Sequence, residues 1–187
     1  MLFVIVTIYK ILYCYFNELS FFWVFRVDST ISTIFIMHQL KRTQRLPIDL
    51  QTAWDFFSSP KNLAAITPDE LGFKIKSDLP DQMYPGMFIQ YTVSPLLGIP
   101  LTWVTEITHV EHLKFFVDEQ RVGPYSIWHH QHFFKEIPNG VEMTDIVDYK
   151  LPFGPLGDLF HPILVKGKLE QIFAYRWDKL IEVFGEY

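Results

Sequence analysis

The sequence predicts an α+β architecture in which a curved antiparallel sheet of about six or seven strands wraps a long C-terminal helix. Three observations predict it. Apolar and polar residues alternate in successive short runs, at Met87–Val93 and Leu101–Val110 above all. Pro138-Asn139-Gly140 sits between two such runs and marks a hairpin. After residue 157 the period lengthens, and Leu169, Ile172, Phe173, Leu180 and Phe184 recur at helical spacing. A curved sheet cannot bury its concave face alone, so the amphipathic tail is its natural cover. The aromatic residues of that face would then line a cavity between sheet and helix.

The elements follow in order. His38–Leu46 reads as a first strand ended by Pro47. Asp49 is placed to cap a short helix bearing Trp54, Phe56 and Phe57, and Pro60 opens a second short helix to Ile66. Gly72–Ser77 alternates weakly and Met87–Val93 clearly. A Pro95–Pro100 turn leads to Leu101–Val110, then to Leu113–Gln120, Ser126–Ile137 and Val141–Leu151. The loop Pro152–Gly157 enters the tail, where Pro162 and Gly167 predict a start or kink in its first turns.

The composition narrows the function classes. The chain has 187 residues, 49% hydrophobic, with 16 Lys+Arg against 21 Asp+Glu and a net charge of −5. No Lys/Arg run exceeds Lys41-Arg42, which argues against nucleic acid as a partner. The single cysteine, Cys14, excludes an internal disulfide or thiolate metal cluster. No phosphate loop, dinucleotide fingerprint or nucleophile elbow occurs. Residues 1–36 are set apart: 25 of the 36 are apolar, with no Gly, Pro or Ala. Lys10, Glu18, Arg26 and Asp28 interrupt that leader, so no stretch reaches the roughly 20 apolar residues of a membrane span. No cleavage site of a signal peptide follows. The composition favours an upstream segment with Met37 as the true start, giving a domain over 37–187 and a cytoplasmic protein. The alternative is a membrane-associating extension, touching the bilayer through Phe3, Phe21, Phe22 and Trp23. The oligomeric state is not legible.

Several motifs carry a resemblance. They are Ile66-Thr67-Pro68, Gly98-Ile99-Pro100-Leu101-Thr102-Trp103-Val104-Thr105-Glu106-Ile107 and Phe116-Val117-Asp118-Glu119-Gln120. Gly123-Pro124-Tyr125, Trp128-His129-His130, His132-Phe133 and Met143-Thr144-Asp145 follow. Pro152-Phe153-Gly154-Pro155-Leu156-Gly157, Ile172-Phe173 and Tyr175-Arg176 complete the set. With the order of elements, they resemble the helix-grip fold of the START-like, or SRPBCC, superfamily, and most closely a bacterial subgroup of its ligand-binding proteins. The likeness runs from Met37 to Phe184. It implies a binding fold with a hydrophobic cavity, no metal and no particular substrate; the first expectation is a binder of a hydrophobic small molecule such as a lipid, quinone or polyketide, with no cofactor. A cofactor-free cyclase, dehydratase or isomerase is the alternative, and an interaction module working through its outer surface is a third possibility. Whether the protein is an enzyme stays open.

Candidate site residues come from strand parity. If Asn139-Gly140 is a two-residue loop, Phe134 faces Asp145, His132 faces Val147 and His130 faces Tyr149. Trp128, His130, His132 and Phe134 then share an inner face with Asp145 and Tyr149. Tyr91 and Trp103 join them from earlier strands, Phe153 from the loop and Phe173 from the helix. His130, His132 and Asp145 form a polar cluster on this wall, with Asp145 diagonal to His132. Three roles fit: a satisfied internal hydrogen-bond network, the plainest of them; contact with a ligand head; or acid–base catalysis. Two histidines and Asp145 also make a generic metal set, but no metal is expected here. Asp118 and Gln120 share a face with Phe116, and solvation or pairing between strands is the simpler role for both. Arg176 falls between Phe173 and Leu180 on the helical stripe, where it either pairs with a carboxylate or snorkels.

Overall fold

Seven strands pair antiparallel in the order β1-β7-β6-β5-β4-β3-β2, and one C-terminal helix packs across them. The computed structural model describes residues 36–94 and 98–187. The leader residues Phe3, Phe21, Phe22 and Trp23, and Pro95 of the expected turn, lie outside the described residues. Among the described residues no helix is long and apolar enough to cross a membrane.

Strand β1 spans His38–Leu46 and helix α1 spans Leu50–Phe57. Asp49 caps α1 by accepting from Thr52 N at 2.8 Å. The helix buries Ala53, Trp54 and Phe57 against Phe134, Val141, Met143 and Leu180. Two 3₁₀ turns follow, at Pro60–Ile66 and Asp69–Leu71. The weakly alternating segment yields only a two-residue strand, β2 (Lys74–Ile75). Strands β3 (Met87–Val93), β4 (Leu101–Glu111), β5 (Phe115–Val122), β6 (Ile127–Ile137) and β7 (Gly140–Lys150) complete the sheet. The β4–β5 pairing shifts register twice, at Val104/Thr105 and Ile107/His109. Such irregularities bend a sheet, and a bent sheet can enclose a helix.

The hairpin register differs from the sequence reading. Ile137 pairs with Gly140, so Pro138-Asn139 is the loop and Gly140 already belongs to β7. Asn139 takes φ +61°, which with a proline before it fits a type II turn. His132 therefore lies directly opposite Asp145, His130 opposite Val147 and Trp128 opposite Tyr149. The facing partner of each residue moves by two positions, which preserves parity, so the inner face is unchanged.

The tail is helical from Pro155 to Phe184, in three parts: α2 (Pro155–Phe160), a π-helical segment (His161–Lys166) and α3 (Gly167–Phe184). The widened segment contains Pro162, whose missing N–H and ring cannot fit a regular α turn. Leu169, Phe173 and Leu180 bury one stripe of α3, and Arg176 lies along the same stripe.

Candidate functional site

Sheet, 3₁₀ turns and α3 enclose a cavity of about 180 Å³. Its wall is mostly apolar. Tyr91, Trp103 and Trp128 stand on the strand side, and Leu169, Ile172 and Phe173 on the helix side. Trp103 meets Trp128 edge-on at 5.4 Å and lies parallel to Tyr91 at 5.9 Å, so the aromatic wall is self-packed. The Tyr91 hydroxyl bonds Thr105 Oγ1 at 3.1 Å, and burial pushes the phenol pKa up.

One stretch of this wall is charged. Asp118, His130, His132 and Arg176 all line the cavity. Strand pairing sets the first two opposite each other, since Asp118 of β5 is the register partner of His130 of β6. Behind the histidines, Asp145 of β7 pairs with His132. The four groups close a ring. Asp145 Oδ1 lies 3.0 Å from His130 Nε2 and 2.8 Å from His132 Nδ1, the latter contact poorly aligned for a hydrogen bond. Asp118 Oδ2 lies 2.9 Å from His132 Nε2 and 3.4 Å from His130 Nδ1. Phe116 stacks on His132 at 4.1 Å and holds that ring in place.

Electrostatics split the pair of imidazoles. Burial opposes the charged form of all four groups. Burial would raise Asp118, but attraction to His130 and the hydrogen bond from His132 hold it below the usual carboxylate range. Burial would likewise raise Asp145, but the hydrogen bond from His130 and the close approach of His132 keep it far below that range. Burial pushes His132 down, yet its bond to Asp118 and its close contact with Asp145 overcome this and raise its pKa. Burial and the neighbouring charge of His132 leave His130 lowered despite the same two carboxylates. The two imidazoles therefore shift in opposite directions, His132 toward its charged form and His130 toward its neutral one.

Among the described residues four buried side-chain atoms have no hydrogen-bond partner, Ser58 Oγ, Trp103 Nε1, His132 Nδ1 and Arg176 Nε, and of these Trp103, His132 and Arg176 belong to cavity-lining residues. The Arg176 guanidinium sits 5.0 Å from the Phe173 ring centroid and attracts Asp118 electrostatically.

No protein-family model matches the chain, and no curated protein sequence matches it. Solved structures do. Protein CV1439 from Chromobacterium violaceum matches with a TM-score of 0.59 at 11% identity, over 80% of this chain and 99% of that one. Major latex-like protein 151 from Panax ginseng matches with a TM-score of 0.57 at 8% identity, over 80% and 99%. Protein Ms6760 from Mycobacterium smegmatis matches with a TM-score of 0.56 at 15% identity, over 78% and 92%. The chain has the helix-grip fold that these structures share.

Within this helix-grip fold the expected residues fall into three groups. Tyr91, Trp103, Trp128, His130, His132 and Phe173 line the cavity. Asp145, Phe134 and Tyr149 are buried off its lining: Asp145 behind the histidines, Phe134 in the core with Trp54 and Phe57, and Tyr149 bonded to His161 Nε2 at 2.7 Å. Phe153, on the loop before α2, takes φ +71° and is 63% exposed, off the cavity lining. Asp118 is the carboxylate that reaches the cavity, where the sequence reading preferred Asp145. Gln120 instead brackets the β5–β6 turn, its Nε2 donating to Tyr125 O at 2.6 Å while Tyr125 N donates to its Oε1 at 3.2 Å. Glu106 pairs with Arg121 at the outer surface.

Proposed function

We propose that this protein binds a small hydrophobic molecule, ring-containing and bearing at least one hydrogen-bond acceptor, in the cavity between sheet and α3. The observation that carries this reading is the pairing of an apolar, aromatic wall with two buried, unpartnered donors, Trp103 Nε1 and Arg176 Nε. An unsatisfied buried donor is costly, and a ligand oxygen relieves it. The size supports the class. A volume of about 180 Å³ holds on the order of a dozen water-sized spheres, which suits a quinone head or a small aromatic polyketide better than a whole phospholipid. Helix-grip relatives add support at the level of fold alone.

Native mass spectrometry of the full chain, followed by organic extraction, tests for a retained molecule. Titration with a naphthoquinone, read by tryptophan fluorescence, tests the class directly. Saturable one-to-one quenching is expected, and Arg176→Leu should weaken it by about 10-fold, the worth of one bond to a charged donor. No retained molecule together with no saturable quenching in a folded protein overturns the reading.

A cofactor-free cyclase, dehydratase or isomerase is the second reading. It is favoured by both imidazoles standing on the cavity wall, each held by carboxylates, the arrangement general acid–base catalysis needs. It requires that His132→Ala keep ligand binding and lose turnover. Loss of binding instead sinks it.

A further inference from the structure

We infer that His130 Nδ1, His132 Nε2 and a carboxylate oxygen of Asp118 form a binding site for one divalent first-row transition ion of the zinc class, with Asp145 as its shared outer support. The inference is independent of the organic ligand proposed above, because it is read with the metal alone.

Geometry carries it. Each of the three residues offers one ligand atom, and these lie within 4.8 Å of one another. The Asp118 oxygen stands 2.9 Å from His132 Nε2 and 3.4 Å from His130 Nδ1. Ligands bound at about 2.0–2.2 Å stand roughly 3.4 Å apart around a tetrahedral ion and roughly 2.9 Å apart around an octahedral one. The two Asp118–histidine separations fall in that range, and the three ligand atoms all lie close enough to converge on one ion. Imidazole and carboxylate suit zinc, cobalt(II) or iron(II) better than magnesium or calcium, which prefer oxygen alone.

The second observation lies behind the ring. A metal-bound histidine characteristically donates its other ring N–H to a carboxylate, which fixes tautomer and orientation. Here the two ring nitrogens facing away from Asp118 both face one oxygen: His130 Nε2 and His132 Nδ1 are 3.0 and 2.8 Å from Asp145 Oδ1. Asp145 bonds His130 Nε2 as the structure stands and needs only a small reorientation to accept from His132 Nδ1 as well. The arrangement also assigns the two aspartates different tasks. Asp118 lines the cavity and Asp145 does not, so the ligand side of the cluster opens onto free space. An ion there keeps coordination positions for water or for an acceptor atom of a guest, the mark of a site that is not purely structural.

The test uses the full chain, stripped with chelator and titrated with Co²⁺, with Zn²⁺ in competition. One Co²⁺ per chain is expected, with visible ligand-field absorption, displacement by Zn²⁺ and a raised melting temperature. Asp145→Asn should weaken binding by about 10–100-fold at unchanged stoichiometry. Asp118→Asn and His130→Gln should weaken it further, with folding checked by circular dichroism. A readout that needs no variant is the paramagnetic proton spectrum of the Co²⁺ form. It should show two hyperfine-shifted, solvent-protected ring N–H signals, those of His130 Nε2 and His132 Nδ1. Absence of stoichiometric uptake overturns the assignment. So does uptake without those two signals, or uptake of equal affinity in folded Asp118→Asn and Asp145→Asn, which would put the ion on surface histidines such as His109.

Discussion

Tyr91 and Thr105 hold each other hydroxyl to hydroxyl at 3.1 Å on the cavity wall, with Thr105 4% exposed. The bond is a pairwise obligation: remove one partner and the other keeps a buried polar group with nothing to bond. Thr105→Val should therefore cost about 1–3 kcal/mol, and Tyr91→Phe a similar amount. The double variant Tyr91→Phe/Thr105→Val removes both groups and should recover most of one single-site loss. Urea denaturation of the three variants measures it, and simple additivity would show that the hydroxyls do not depend on each other. Neither hydroxyl contact was legible in the sequence, though each residue's face was. The same holds for Asp118. Parity places it beside Phe116, but its importance depends on the pairing of β5 with β6. The Gly123-Pro124 connection between those strands lacks a two-residue loop signature, so the sequence does not state that Asp118 faces His130. Arg176 could be placed on the inner stripe of the helix because helical spacing needs no partner strand. Its approach to Asp118 could not.

At the scale of elements, the β6–β7 hairpin sets the site, because it supplies both histidines and Asp145. Its turn was recognisable from Pro138-Asn139-Gly140, yet the reading took the wrong pair of residues as the loop. The motif holds two overlapping solutions, and Asn tolerates a left-handed φ nearly as Gly does. What decides is outside the hairpin. A Cβ on Gly140 would collide with the backbone oxygen of Leu46 and the ring of Tyr187, so glycine is needed for close approach, and Asn139 takes the φ of +61°. Tyr187 in turn donates its hydroxyl to Pro138 O at 2.6 Å, fastening the C-terminus over the turn. Gly140→Ala should destabilise the protein by about 1–3 kcal/mol through overpacking. Asn139→Gly, which relieves a left-handed residue, should change stability by no more than about 0.5 kcal/mol. Thermal melts of the two variants decide, and the reverse order would restore Asn139-Gly140 as the loop. The long helix shows the same division of labour. Its amphipathic stripe is visible in the sequence, whereas its widened start at His161–Lys166 answers to Pro162 and to the Tyr149–His161 bond together.

The whole molecule depends on its buried phenols, and alkaline pH exposes that dependence. Tyr125 and Tyr149 meet edge-on at 5.8 Å, and Tyr125 also packs on Trp103 and Trp128, joining the cluster under α3 to the aromatic wall of the cavity. Burial pushes Tyr149 up to about 12 and raises Tyr125 as well, against an ordinary value of 10.0. The direction of the effect follows from proton counting. Below pH 10 both phenols are protonated in the folded and the unfolded chain alike, and their contribution to stability is fully present. Between pH 10 and 12 the unfolded chain releases these protons while the folded chain retains them. The unfolded state is then favoured progressively as pH rises, and because the two rings link separate parts of the core, the loss is global. Tyrosinate absorbance should consequently lag behind that of free tyrosine on alkaline titration, and its last part should rise together with the collapse of the circular dichroism signal. Tyr149→Phe should shift that collapse to higher pH, since one ionisable phenol is gone, at the expense of the bond to His161. Ionisation of all phenols near pH 10 with the fold intact would mean that Tyr125 and Tyr149 are open to solvent, and the aromatic wall of the cavity with them.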